Sequence, residues 1–293
     1  MPSAEAEPGP GRAASASALV ELLRPGNAAM AAGGVVVGAL AAAPYEVVSW
    51  FPVALAAGAA ACGTAAGNAY NDFRDRDLDA RAHPARPIPS GRLSSGAAFE
   101  AALVLVGVAL VLAWLAHPLV FALAAANVGL LALYEHRAKA SGFAGNVLVA
   151  WLVASLFLLG AVAATRPAAA RDLPVLAAPL LLATLAFAAN LARELLKDVQ
   201  DLAADRGLRS TVPMTIGAER TRRLALVVTV AGVAASPLPF LLDLGFSWLF
   251  LALVGVADAA LVWAATRPDV ERASRGLKIG MLLALAAFAA GRL

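Results

Sequence analysis

Charge is scarce in this chain. Asp, Glu, Lys and Arg make up 15% of its 293 residues, and apolar residues reach 61%. Soluble domains carry about a quarter charged and about half apolar residues, so an ordinary soluble domain is excluded. Cysteine is nearly absent: Cys62 stands alone, which rules out an intramolecular disulfide framework. The three histidines, His83, His117 and His136, are scattered, so no His/Cys set suits zinc. The opening "MPSAEAEPGPGRAASASA" lacks the short apolar core of a cleavable leader. Its Pro/Ala/Ser/Gly bias predicts a disordered tail over residues 1–18, ahead of one folded domain over residues 19–293.

What is present is a series of Ala/Leu/Val runs, many of them near the roughly 20 residues that a helix needs to cross a bilayer. Nine spans are expected, over residues 26–44, 50–70, 96–114, 117–134, 143–165, 173–193, 222–242, 245–266 and 276–291. In lipid, backbone groups must bond within their own segment, so these are predicted helices and the fold class is an all-α integral membrane protein. The basic residues divide sharply between the connections. The N-terminal segment and every second connection, with the adjoining span ends, hold twenty of the twenty-three Lys and Arg, leaving Arg166, Arg171 and Arg292. By the positive-inside rule the N-terminus and those connections are cytoplasmic, in a multi-pass protein of the cell (inner) membrane. Topology also accounts for the isoelectric point near 9.4, so nucleic acid is not an expected partner.

Orientation needs no acids, yet two of the basic connections carry them at one spacing. In "NAYNDFRDRDLDAR", Asp72, Asp75 and Asp79 follow Asn68 at intervals of four, three and four residues. In "ELLKDVQDLAAD", Asp198, Asp201 and Asp205 follow Glu194 at the same intervals. On a helix such spacing confines each set to an arc of about 60°, and Asp77 falls off it. Like charges at these intervals repel. One explanation is salt bridging to Arg74, Arg76, Arg81, Arg193, Lys197, Arg206 and Arg209. The preferred one, because the register occurs twice on one side of the membrane, is a pair of facing carboxylate clusters for a hard divalent ion such as Mg²⁺. Such ions with arginines at a membrane surface describe a diphosphate site. The turn "RPIPSGR" (86–92) has no metal ligand, only two arginines able to meet phosphate, and is predicted to close over the site. A divalent-cation transporter is the contrasting class. Transport sites sit near the bilayer midplane, where Asp258 is the main acid.

Four ordered segments resemble one family. "NDFRDRDLDARAHPARPIPSGRLS" and "KDVQDLAADRGLRSTVPMTIG" are similar to the two aspartate-rich motifs of UbiA-type intramembrane prenyltransferases. "ELLRPGN" (21–27) and "LYEHRAKASGFAGN" (133–146) are similar to two further segments of that family. The resemblance implies about nine helices around a central cavity, two cytoplasmic Asp-rich caps, and Mg²⁺-dependent transfer of a prenyl group from an isoprenyl diphosphate. Within the family the second motif looks most like the branch that makes digeranylgeranylglyceryl phosphate, with Gln200 and Ala204 where Glu and Gly are usual. An aromatic quinone precursor or a (bacterio)chlorophyllide is the alternative acceptor. Partners are therefore an isoprenyl diphosphate, a lipid-like or aromatic acceptor and the bilayer, with no obligate protein partner expected.

Roles follow from that implication. Asn68, Asp72, Asp75 and Asp79 are expected to hold one Mg²⁺, and Asp198, Asp201 and Asp205 the other. Arg24, Arg81, Lys139 and Lys197 neutralise diphosphate, and Asn27 and Asn146 orient it. Asp72 and Asp198 are the acids on which catalysis depends, with Glu194 or a second-motif aspartate as a proton acceptor. Tyr134 offers its ring face to an allylic cation or is an interfacial aromatic.

Overall fold

The computed structural model describes residues 16–136, 142–165, 173–205 and 210–292. A short helix, α1 (Ala16–Leu23), precedes α2 (Pro25–Ala42), α3 (Trp50–Arg74), α4 (Arg76–Ala82), α5 (Ser95–Ala116), α6 (Pro118–His136) and α7 (Phe143–Ala164). There follow α8 (Leu173–Gln200), α9 (Leu202–Asp205), α10 (Val212–Ile216), α11 (Ala218–Ala235), α12 (Leu238–Leu241), α13 (Trp248–Ala265) and α14 (Val270–Ala290). Among the described residues, eight helical stretches are long and apolar enough to cross a membrane; α6, where the fourth span was expected, has a shorter apolar stretch. The chain is thus an all-helical, multi-pass membrane protein. Residues 1–15 of the expected tail lie outside the described residues, but Ala16–Ala18 are already helical and Ala18 is buried.

Several boundaries differ from expectation, among them the start of the last helix, at Val270 and not 276. The second span continues to Arg74 and the sixth to Gln200, so Asp72, Glu194 and Asp198 stand on the last turns of membrane helices rather than in connections. The reason is local: nothing between 70 and 74 or between 193 and 200 breaks a helix, and charge alone does not. In the seventh, the prolines at 237 and 239 end α11 at Ala235 and leave the four-residue α12 beyond.

Small residues let the helices approach. A Cβ on Gly38 of α2 would lie 2.1 Å from the Phe157 carbonyl oxygen, and one on Gly160 of α7 would lie 1.8 Å from that of Val35. Gly276 and Gly280 of α14 meet Ala264 and Leu261 of α13 in the same way. Where lipid is as apolar as the interface, such contact is what holds helices together. Near the helix ends opposite the charged connections, Arg292 donates to the carbonyls of Leu40 (2.7 Å), Ala41 (3.0 Å) and Leu244 (3.1 Å), joining the last helix to the first span.

Near the charged connections, α1 packs against α3 and α2. Its Ala18 and Leu22 are buried with Ala69 of α3, Leu93, and Ala98 and Ala102 of α5. Arg92 of the proline turn donates to Glu21 Oε2 at 2.7 Å, and that hydrogen bond holds the Glu21 carboxyl below its ordinary range. Leu93 and Arg92 therefore attach the turn to α1.

Gly160→Val should overpack the α2–α7 contact, at a cost of about 1–3 kcal/mol. The expected result is a lower unfolding temperature of the purified protein in detergent. Gly107→Ala, whose Cβ meets nothing within 4 Å, should show no such loss.

Candidate active site

The helices enclose a cavity of about 920 Å³, to which α2, α3, α5, α6, α7, α8, α11, α13 and α14 all contribute. Most of its wall is apolar, with Met30, Leu131, Leu152, Leu185 and Met281 among the lining side chains. Its polar lining includes Arg24, Asn27, Asn68, Asn71, Arg86, Arg193, Glu194, Lys197 and Lys278. A second, polar hollow of about 30 Å³ is bounded by Asn146, Asp198, Asp201 and Thr211. Tyr134, Glu194 and Lys197 border both spaces.

The first acid series is folded around two arginines. Asp72 and Asp79 are each only 4% exposed. Arg24 pairs with Asp72, and Arg86 lies 2.6 Å from Asp79 Oδ2 and 3.7 Å from Asp72 Oδ1. Both guanidiniums also line the cavity, so they stand between these carboxylates and the open space. Arg24 adopts φ 50°, ψ 68°, a left-handed conformation uncommon outside glycine. The following Pro25 disfavours the right-handed alternative, and the pairing with Asp72 holds the strained backbone. Asn68 donates to the Leu23 carbonyl at 3.1 Å and accepts from Arg24 at 3.4 Å, fixing the same corner.

Both series break at the same place. Helix α3 ends before Asp75 and α8 ends before Asp201. Yet the Asp75 N–H bonds the Asn71 carbonyl at 2.8 Å, and the Asp75 carbonyl accepts from Asp79 at 2.7 Å. The Asp201 N–H likewise bonds Lys197 at 2.9 Å, and its carbonyl accepts from Asp205 at 3.0 Å. Neither series is one straight helix face as expected, because each bends at its middle acid. The side-chain surroundings differ. Asp198 accepts from Asn146 Nδ2 at 2.8 Å on the wall of the small hollow. Asp205 is 1% exposed and lines neither space. Asp77 points outward with its side chain 90% exposed.

The cation positions also differ from the expected set. Arg81 is exposed on α4 and away from both spaces, whereas Arg86 is at the cavity wall. Arg92 faces Glu21 instead of the site. Lys139, Arg206 and Arg209 lie outside the described residues. Sequence reasoning passed over Lys278, whose signal was a lone lysine inside an apolar run, and Asn71, which lines the cavity one residue before Asp72. It also passed over Thr211, buried at the small hollow.

Among the described residues, no group of three or more acids, histidines or cysteines converges to hold a metal ion. The donors are nonetheless all oxygens, which suits Mg²⁺. That ion usually takes one or two carboxylates and completes its shell with water and substrate phosphate. The residues present therefore fit it without an all-protein cage.

A model of the UbiA prenyltransferase family matches residues 31–286. The chain is 42% identical to the digeranylgeranylglyceryl phosphate synthase of Methanopyrus kandleri, over 94% of this chain and 99% of that protein. It is similar to a solved structure of digeranylgeranylglyceryl phosphate synthase at 27% identity and TM-score 0.72, covering 94% of this chain and 98% of that one. A UbiA homolog from Archaeoglobus fulgidus, bound to DMAPP and Mg²⁺, shares the fold at 16% identity and TM-score 0.66, covering 92% and 99%.

Pyrophosphate with Mg²⁺ is a direct probe of the charged wall. Arg86→Ala should weaken its binding about 10- to 100-fold, the size of a lost charge-assisted hydrogen bond. Arg81→Ala should change it less than about twofold, as expected of an exposed cation outside the site. Titration calorimetry on the purified protein reads both.

Proposed function

The chain belongs to the UbiA prenyltransferase family, and from that premise we propose that it transfers a geranylgeranyl group from geranylgeranyl diphosphate to geranylgeranylglyceryl phosphate, with Mg²⁺ as cofactor. The observation that carries this reading is the junction of a charged wall, at the ends of α3 and α8, with an apolar cavity of about 920 Å³. The charged part suits a diphosphate and the apolar part a prenyl tail. The acceptor follows the activity named for the Methanopyrus kandleri relative. The basic connections put the charged wall at the cytoplasmic face of the cell membrane.

Asn68, Asp72, Asp75 and Asp79 would hold one Mg²⁺, and Asp198 and Asp201 the other, with the buried Asp205, which lines neither space, left out of the expected set. Bound there, Mg²⁺ supplies positive charge to the oxygens of the departing diphosphate. Arg24, Arg86, Lys197 and Lys139 hydrogen-bond the same oxygens, with Arg86 in the part first given to Arg81. Asn27 and Asn146 orient the donor. The C1–O bond breaks with its electron pair leaving on the diphosphate, and the apolar wall keeps water from the allylic carbon. Tyr134, which borders both spaces, presents its ring to the developing cation. The acceptor hydroxyl oxygen then forms the ether bond at C1 and gives its proton to Glu194, whose carboxylate lies on the cavity wall.

Asp72→Asn and Asp198→Asn should each lower Mg²⁺-dependent transfer by about a thousandfold or more, the scale of a lost electrostatic stabiliser. Full activity in either would sink the two-cluster scheme. Mass spectrometry of products, from purified protein offered a panel of prenyl diphosphates and acceptors, is expected to find digeranylgeranylglyceryl phosphate. A prenylated aromatic ring in its place would reassign the acceptor.

A further inference from the structure

Lys278 sits eight residues into α14, a helix long and apolar enough to cross the membrane. At 1.5 Å per residue that is about 12 Å along its axis. An ammonium at such a position is rare, and it ordinarily faces a cavity and finds a partner there. Lys278 does line the cavity, and its Nζ donates to Asn27 Oδ1 at 3.1 Å. That amide oxygen satisfies one of three N–H donors and cancels none of the charge.

The other cations of the cavity are differently placed. Arg24 pairs with Asp72, Arg86 with Asp79 and Arg193 with Glu194. Lys197 borders the hollow that also holds Asp198 and Asp201. Among the described residues, no carboxylate lies within ion-pair distance of Lys278; Lys197 also has no such pair but is given to the diphosphate above, which leaves Lys278 as the cavity cation with neither an acid nor a role in donor binding. Asn27 stands three residues beyond Arg24, about one turn further along α2 from the Arg24–Asp72 pair. Lys278 therefore meets α2 about one turn from that pair, with no acid in contact with it.

We propose that Lys278, its head fixed by Asn27, forms the subsite for the phosphate monoester of the acceptor. This rests on the glyceryl phosphate reading given above. A diphosphate donor carries its own arrangement of acids, divalent ions and paired arginines. A monoester brought beside those acids would be repelled unless an uncompensated cation met it, and in a poorly solvated cavity that attraction is large. A neutral ring acceptor has no use for such a charge. Lys278 thus selects an anionic glycerol lipid over its neutral alcohol.

The test compares wild type, K278Q and K278R in nanodiscs of zwitterionic lipid, where the acceptor is the only phosphate monoester. Each is given Mg²⁺, geranylgeranyl diphosphate, and either geranylgeranylglyceryl phosphate or geranylgeranylglycerol. The wild type should favour the phosphate acceptor in kcat/KM. In K278Q that preference should fall about tenfold, equal to about 1.4 kcal/mol, through a higher KM for the phosphate acceptor. KM for the diphosphate donor should move less than twofold, and K278R should keep most of the preference. If K278Q does not fold, K278M, which keeps an unbranched chain without the charge, carries the same expectation. An undiminished preference, or a rise in donor KM alone, overturns the assignment of Lys278. A wild type that prenylates an aromatic ring and neither glycerol acceptor overturns instead the acceptor reading on which it rests.

Discussion

A carboxylate buried at the edge of a hydrocarbon layer must have its charge met, since desolvation there is expensive and an unpaired ion is worse. Asp72 and Asp79 impose that condition on their surroundings. Meeting it brings Arg24 from the start of α2 and Arg86 from the proline turn to one point beside α3 and α4. The left-handed backbone at Arg24, the hydrogen bonds of Asn68 and the attachment of the turn to α1 all belong to this corner. Buried ion pairs are often no more stabilising than well-packed apolar side chains. Their presence on a cavity wall is better accounted for by what they can bind than by what they add to stability.

The two acid series share a backbone and differ in company. Each bends at its middle acid while keeping one hydrogen bond into the bend and one out of it. At the first, the acids are met by arginines; at the second, Asp198 accepts from Asn146 on the wall of a small polar hollow. A repeated register thus produces two unlike halves. One is dominated by guanidinium, the other by amide, hydroxyl and carboxylate oxygen. An asymmetric substrate with a diphosphate at one end and a long apolar tail suits such a wall.

Most of the bundle was legible in the residues. Runs of Ala, Leu and Val leave no alternative to helix in lipid, and every expected span overlaps a helix among the described residues. The ends of the spans were less legible. Hydropathy falls at the first charged residue, whereas a helix stops only where its backbone is broken, so α3 and α8 carry their acids further than expected. The offsets within each acid series set Asp77 apart, and Asp77 does point outward. They did not foretell that Asp205 lines neither space.

The sequence by itself determined the membrane-spanning helices and the twin acid registers, together with their resemblance to a prenyltransferase family. Those are properties of hydropathy and of short-range spacing, which depend on neighbours along the chain. Only the tertiary structure decided which cation serves which acid. Arg81 and Arg86 are five residues apart and equally plausible on paper, but the turn at His83–Pro84 carries Arg86 back onto Asp79 and leaves Arg81 exposed. It alone also set Lys278 against Asn27, 251 positions away. Contacts across that separation depend on how helices pack, and close packing is decided by the shape of every side chain along the interface.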